Sequence, residues 1–288
     1  MFSSGFRLAR LFVLAAVFGC AATTLKAASV WKVTSVSGGT IYLGGSIHAL
    51  RSQDYPLPPA YNRAFDSSTS MAMEVDEKAV VEASKSIAKA GEYPRNDSLK
   101  KHVDPRTYAY LRKLFGLLGI PEQKFSRYRP WYLALLLEAP SLHGRSEDLG
   151  VEHYLIGRAH TNHKQVFGLE TAREHAEIFS GLTDKQGEAY LLLEFIPQSE
   201  GVTSTQTMQA WRKGDADLVA SEFHAAYREF PSLSQRLLDN RNRNWIPKIE
   251  NYLQSGKPCF VVVGAAHLGG PNGLISLLKG RGYLLEQL

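Results

Sequence analysis

The stretch TIYLGGSIHAL, residues 40 to 50, decides how this chain is read. An apolar run passes through Gly44 and Gly45 and delivers a histidine, His48, where strand character gives out. FVVVGAAHLGG at 260 to 270 repeats the arrangement, and His267 follows His48 by 219 residues. Each histidine stands three residues after a glycine, Gly45 or Gly264, and glycine there lets the backbone kink or another chain approach closely. Side chains alternate faces along a strand. That predicts Ile41, Leu43 and Ile47 on one face and Tyr42, Ser46 and His48 on the other, and it groups Val261, Val263 and Ala265 with His267.

Working outward, SVWKVTS and TIYLGGSIH are short β-rich runs joined by VSGG, a tight-turn signal. A third run, TSMAMEVD, ends in Glu74 and Asp76. From Lys78 to about Asn240 the pattern is helical, as in KAVVEASKSIAKAG, PRTYAYLRKLFGLLG, VEHYLIGRAHTN and KQGEAYLLLEFI, with one strand, KQVFGLE, at 164 to 170. The chain closes with RNRNWIPKIENYLQSG as a helix with a Gly stop, then KPCFVVVGAAH as strand, PNGLISLLKGRG as helix and YLLEQL as strand. Strands at both ends around a long helical middle predict an α/β fold. It is read as one domain over residues 29–288, with a central mixed sheet built from N-terminal and C-terminal strands and a helical insertion over roughly 78–240. No Gly/Ser/Pro linker marks a second unit.

The first residues read differently. Arg7 and Arg10 precede LFVLAAVFGCAA, an apolar run of 12 residues, and small and polar residues follow. Positive, then apolar, then small is the order of a secretory signal peptide, expected over residues 1–28, since about 20 apolar residues are needed to span a bilayer. VFGC ending at Cys20 also admits a lipoprotein reading, and a retained anchor helix is the third alternative. The expected location is periplasmic or secreted. Residues 1–28 hold Arg7, Arg10 and Lys26 and no acids, so residues 29–288 carry 30 basic against 28 acidic side chains, a net of +2. That balance gives no support to nucleic-acid binding, and RNRNW does not change it. Cys259 is the one cysteine left, so an intramolecular disulfide is excluded after processing.

In α/β sheets ligands bind beyond the carboxyl ends of the strands. His48, His267 and Glu74 each stand at such an end and make a ligand set for Zn²⁺, Mn²⁺, Co²⁺ or Fe²⁺ with open positions for water. A metal there would bring the pKa of water toward about 7 and polarise a carbonyl. The competing reading makes both histidines core or turn residues hydrogen-bonded to backbone.

Paired GSIH and GAAH motifs on an N-terminal and a C-terminal strand resemble the TraB/GumN family, which includes the Tiki-type membrane proteases that act on Wnt. MAMEVD, GVEHYLIGRA, KQVFGLET and RNRNW add to the resemblance, which covers roughly residues 30 to 288. It implies a metal-dependent hydrolase, a peptidase, using Mn, Co or Zn and related in fold to erythromycin esterases and to a haem-binding iron-uptake lipoprotein group. By position, His48 and His267 match the motif histidines, Glu74 the acid after the first motif, Glu170 the acid of GLET, and Arg241 with Asn242 the Arg-Asn pair. Asn240, where many members carry an acid, and Glu152, where Asp is more usual, depart from the pattern.

The roles expected are metal ligation by His48 and His267 as neutral imidazoles, each oriented through its second nitrogen by a carboxylate or carbonyl. Glu74 is a third ligand or the general base. Arg241 steadies an oxyanion or clamps a substrate carboxylate, against the alternative of a solvated helix face. Glu170 serves the same site, or is an N-terminal helix charge. His153, His160 and His163 would share a helix face but read as solvated, PWYLALLLE and AYLLLEFI read as packing, and GGPNG at 269 to 273 is an anion-binding helix start or a turn. The substrate expected is a peptide or a small amide or ester, with membrane contact only through a lipidated or retained N-terminus. The alternatives are a metal-free, esterase-like hydrolase and a non-catalytic metal- or haem-binding envelope protein.

Overall fold

A computed structural model describes residues 27–137, 146–195 and 205–288. The signal-like start, with Arg7, Arg10, Cys20 and Lys26, lies outside the described residues. Six strands, β1 (Val30–Thr34), β2 (Thr40–Ser46), β3 (Ser70–Met73), β4 (Gln165–Gly168), β5 (Cys259–Gly264) and β6 (Leu284–Gln287), form one sheet in the order β4-β3-β5-β2-β1-β6. β2, β5, β3 and β4 run parallel, β1 pairs antiparallel with β2 at one edge, and β6 pairs antiparallel with β1 and so runs in the direction of β2; the sheet is mixed as expected. The register sets Gly45 opposite Val263 and Met73 opposite Val262, which brings the carboxyl ends of β2, β3, β4 and β5 to one rim.

The helices are α1 (Pro59–Asp66), α2 (Glu77–Ala90), α3 (Pro105–Leu117), α4 (Pro130–Leu137), α5 (Val151–Thr161), α6 (Ala172–Ser180), α7 (Asp184–Leu193), α8 (Thr205–Lys213), α9 (Ala216–Ala226), α10 (Pro231–Ser234), α11 (Asn240–Gln254) and α12 (Leu274–Lys279). β5 shows why the sheet is central. Phe260 and Val262 pack on one face with Tyr61, Phe65 and Trp211, whereas Val261 and Val263 pack on the other with Ile41, Trp245 and Ile249. A strand covered on both faces reads as an unbroken apolar run. A third core, around Tyr93, Leu111, Phe125, Trp131 and Leu191, belongs to the helical stretch alone, and Trp131, Leu133, Ala189 and Tyr190 place PWYLALLL and AYLLLEF, the described parts of the two apolar runs, in it as packing. The rest of that stretch joins the sheet: β4 is an edge strand, and Leu155, Ala159, Ala210 and Trp211 pack beneath it.

Strand alternation stops earlier than the sequence suggests. Ile47 packs on the side of Tyr42, away from Ile41 and Leu43, and Ala265 leaves the core of Val261 and Val263 for the opposite one. The reason is local: β2 ends at Ser46 and β5 at Gly264, and His267 sits on a 3-10 turn, Ala265–His267. Period-two parity holds only while the chain is extended.

Candidate functional site

The end of β2 is held by its neighbours. Trp211 Nε1 donates to the carbonyl of Gly45 at 2.9 Å and the Tyr61 hydroxyl donates to the same oxygen. A side chain at Gly45 would come within 2.8 Å of Leu268 Cδ1 and 3.1 Å of Ala265 Cα, so glycine is what lets the β2 and β5 ends meet. Beyond them, Val151 N–H at the start of α5 donates to Ile47 O at 3.1 Å. This fixes the loop that carries His48 against the helix that carries Glu152.

The next two strands deliver acids. Glu74 follows β3 and Glu170 lies just past β4, and the two are tied by Glu170 N–H donating to Glu74 O at 2.8 Å. Two residues on, Asp76 points elsewhere: its carboxylate accepts from Ala79 N–H and caps α2. Arg241, in the first turn of α11 behind a five-residue π-helical turn, Gln235–Asp239, lies over both acids. Its Nε donates to Glu170 Oε1 at 2.7 Å, and its Nη2 donates to Glu170 Oε2 at 3.0 Å and to Glu74 Oε2. Glu170 also accepts from Trp245 Nε1 at 3.1 Å and lies 3.2 Å from His175 Nδ1. Both Arg241 and Glu170 are therefore buried counter-ions and neither the solvated helix face nor the free helix-terminal charge that composition allows.

Around this pair the two histidines are anchored alike. His267 Nδ1 donates to Asn242 Oδ1 at 2.6 Å, and Arg241 Nη1 donates to His267 Nε2 at 3.3 Å, which fixes a neutral ring with its lone pair on Nε2. His48 Nδ1 donates to Glu152 Oε1 at 2.9 Å, and Ser46 Oγ donates to the same oxygen. Burial pushes His267 down to about 3, whereas the Glu152 carboxylate pushes His48 up to about 10. The His48 side chain is 71% exposed, so solvent screens its pairing with Glu152. Burial acts to raise Glu74 and Glu170, but Arg241 on both, the histidines on Glu74 and His175 on Glu170 hold them below the usual carboxylate range.

His48, Glu74 and His267 face one another across Gly264. Glu74 Oε1 accepts from Gly264 N–H at 2.8 Å and faces His267 Nε2 at 3.8 Å. A Cβ at Gly264 would lie 3.3 Å from Glu74 Oε1, 3.6 Å from His267 Cδ2 and 4.0 Å from His48 Nε2, so the missing side chain leaves a cradle among the three. Imidazoles pinned through Nδ1, with Nε2 directed inward, are the usual second support of metal-ligating histidines. As they stand, no three His, Cys, Asp or Glu side chains among the described residues close on one point, and Arg241 Nη1 takes the His267 lone pair.

The site brings together His48, Glu74, Glu170, Arg241 and His267. Glu152 and Asn242 were visible in the sequence only as matched positions, and nothing local marks either as a histidine partner. The GVE and RN elements were the available signal. The remaining candidates lie elsewhere: His153, His160 and His163 are exposed, with His160 paired to Glu77 at 2.7 Å, and His163 falls past the end of α5. In GGPNG, Gly270 N–H donates to Asp217 Oδ1 at 2.8 Å, so that loop is a turn packed on α9. Asn240 is exposed and donates no side-chain bond to the site; its Oδ1 accepts from Arg243. Cys259 is a buried thiol at the start of β5.

Comparison with known proteins gives a consistent picture. The model of the TraB/PrgY/gumN family matches residues 29–287. The uncharacterized proteins YbaP of Escherichia coli (strain K12) and of Shigella flexneri are each 25% identical over 236 residues, covering 81% of this chain and 86% of the relative. No solved structure matches the chain.

Proposed function

This chain belongs to the TraB/PrgY/gumN family, and from that premise we propose that it is an exported, metal-dependent hydrolase acting on a peptide or other amide bond. The observation that carries the reading is the convergence over Gly264 of Glu74 Oε1 and two imidazoles, each held through Nδ1, at the carboxyl ends of three adjacent parallel strands. His48 and His267 would hold the ion through Nε2 and Glu74 through Oε1. A bound Mn²⁺, Co²⁺ or Zn²⁺ supplies Lewis acidity toward a carbonyl and acidifies water.

The protein's own groups divide the remaining work. Of the two roles open to Glu74, ligand is favoured over base, because a carboxylate held ionised so strongly is a poor proton acceptor. Asn242 keeps the proton of His267 on Nδ1 and so keeps Nε2 free to bind. Arg241, fixed on two carboxylates, presents a preorganised cation beside the site where negative charge grows during acyl transfer. Export rests on the order of Arg7, Arg10, the apolar run and the small residues after it.

A metal-free, esterase-like hydrolase is the second reading, favoured by one observation: Arg241 already compensates Glu74 and Glu170 and bonds His267. Metal content of the purified protein, of His48→Ala and of His267→Ala, followed by a peptide library with and without Mn²⁺, Co²⁺ and Zn²⁺, separates the two. The proposal expects stoichiometric metal in the wild type, loss in both variants and metal-dependent cleavage. Turnover by a metal-free wild type would establish the second reading, and metal held equally by all three proteins would sink the first.

A further inference from the structure

We infer that the outer face of α3, with the turn that follows it, is a docking surface for an anionic phospholipid membrane. The inference is independent of the chemistry at the strand ends and adds a membrane contact other than the N-terminus. α3 buries Thr107, Tyr108, Leu111 and Phe115 in the helical core. Its opposite face carries Arg106, Tyr110, Lys113 and Leu117, all exposed and spaced to form one stripe.

Where the helix ends the chain does not turn polar. Leu117 is 78% exposed, Leu118 62% and Ile120 37%, and Tyr110 beside them is 47% exposed. Two hydrogen bonds close the helix end, Gly119 N–H to Gly116 O at 3.1 Å and Ile120 N–H to Phe115 O at 2.8 Å. The leucines are therefore held outward by backbone, instead of being free to fold back onto the core. An exposed apolar patch of this kind on a folded domain marks an interaction site.

The charge around the patch selects the occupant. Four of the cations near this face are neutralised by acids, Lys101 by Asp97, Arg106 by Asp104, Arg112 by Glu122 and Arg127 by Glu92, whereas Lys113 and Lys124 enter no ion pair among the described residues. Lys113 and Lys124 flank the leucines with exposed side chains. A second copy of the chain would bring two such basic faces together, which like-charge repulsion opposes. A bilayer of anionic lipid satisfies both features, since headgroups take the cations and the acyl boundary takes the leucines.

The test uses residues 27–288, which contain all three cores, in co-sedimentation with phosphatidylglycerol/phosphatidylcholine vesicles and with phosphatidylcholine alone. Binding is expected only with phosphatidylglycerol and is expected to weaken at high salt. The double variant Leu117→Ser/Leu118→Ser and the double variant Lys113→Glu/Lys124→Glu should each lower partitioning by about tenfold or more. Val36→Ser, at a site 94% exposed on the β1–β2 turn, should leave it unchanged. Absence of binding to phosphatidylglycerol, equal binding to phosphatidylcholine, or full binding by the leucine variant would overturn the inference. So would a wild-type dimer that the leucine variant dissolves without any vesicle binding, because the face would then be a self-interface. Circular dichroism of each variant confirms that it is folded.

Discussion

Arg241 Nε lies 2.7 Å from Glu170 Oε1, and through Nη2 the same guanidinium reaches Glu74, so one cation ties together the ends of two neighbouring strands. Arg241→Ala leaves two buried carboxylates without their counter-ion. Breaking a buried pair from one side costs about 3–5 kcal/mol. The expected outcome is an unfolding midpoint in urea lowered to match, with the deficit shrinking in acid as Glu74 and Glu170 take up protons. A deficit that is equal at neutral and acid pH would mean that the arginine acts by packing alone.

Gly264 gives a sharper test of the cradle. Its backbone, with φ at −48°, is open to any residue, and an added Cβ would meet Glu74 Oε1 at 3.3 Å. Gly264→Ala is expected to fold with a small loss of stability while metal uptake, read by calorimetry, drops sharply. Normal uptake in a folded Gly264→Ala protein would place the ion somewhere else.

Asn242 acts on His267 at one remove. Asn242→Ala frees the Nδ1 proton, so the ring is no longer held with Nε2 unprotonated. Loss of such a supporting partner lowers metal affinity by about 10–100-fold. Asn242→Asp, which keeps an acceptor facing Nδ1, should recover most of it; a purely structural role for Asn242 would predict no such rescue.

Stability should respond to pH on both sides of neutrality, with opposite causes. His267 is pushed from its ordinary 6.5 down to about 3 by burial, so between these values the unfolded chain binds a proton that the folded chain refuses. Stability is therefore full above pH 6.5 and is lost as pH falls toward 3. His48 is pushed up to about 10 by Glu152, so its contribution is full below 6.5 and is lost as pH rises toward 10. Its side chain is 71% exposed, and solvent screening makes this alkaline limb the shallower one. Urea midpoints across pH for Glu152→Gln should show the alkaline limb flattened and the acid limb kept. An alkaline limb unchanged in Glu152→Gln would remove Glu152 as its cause.

The strands were legible because each is a short apolar or β-branched run bounded by turn residues. β5 was the plainest, since a strand buried on both faces is apolar throughout. The residues just past the strand ends were legible for the same reason: His48, Glu74 and His267 are set by local spacing from their strands. What misled was parity, because Ile47 and Ala265 lie where the backbone is no longer extended.

By itself, then, the sequence determined the elements, their class and which side chains leave the strand ends. Only the tertiary structure decided the order β4-β3-β5-β2, which makes those ends neighbours, and the partners that give each side chain its charge. Glu152 reaches His48 from α5, and Arg241 and Asn242 reach Glu74, Glu170 and His267 from α11. The physical reason is range. Secondary structure and side-chain direction follow from the few residues on either side, whereas protonation depends on distance and burial among groups that are remote along the chain.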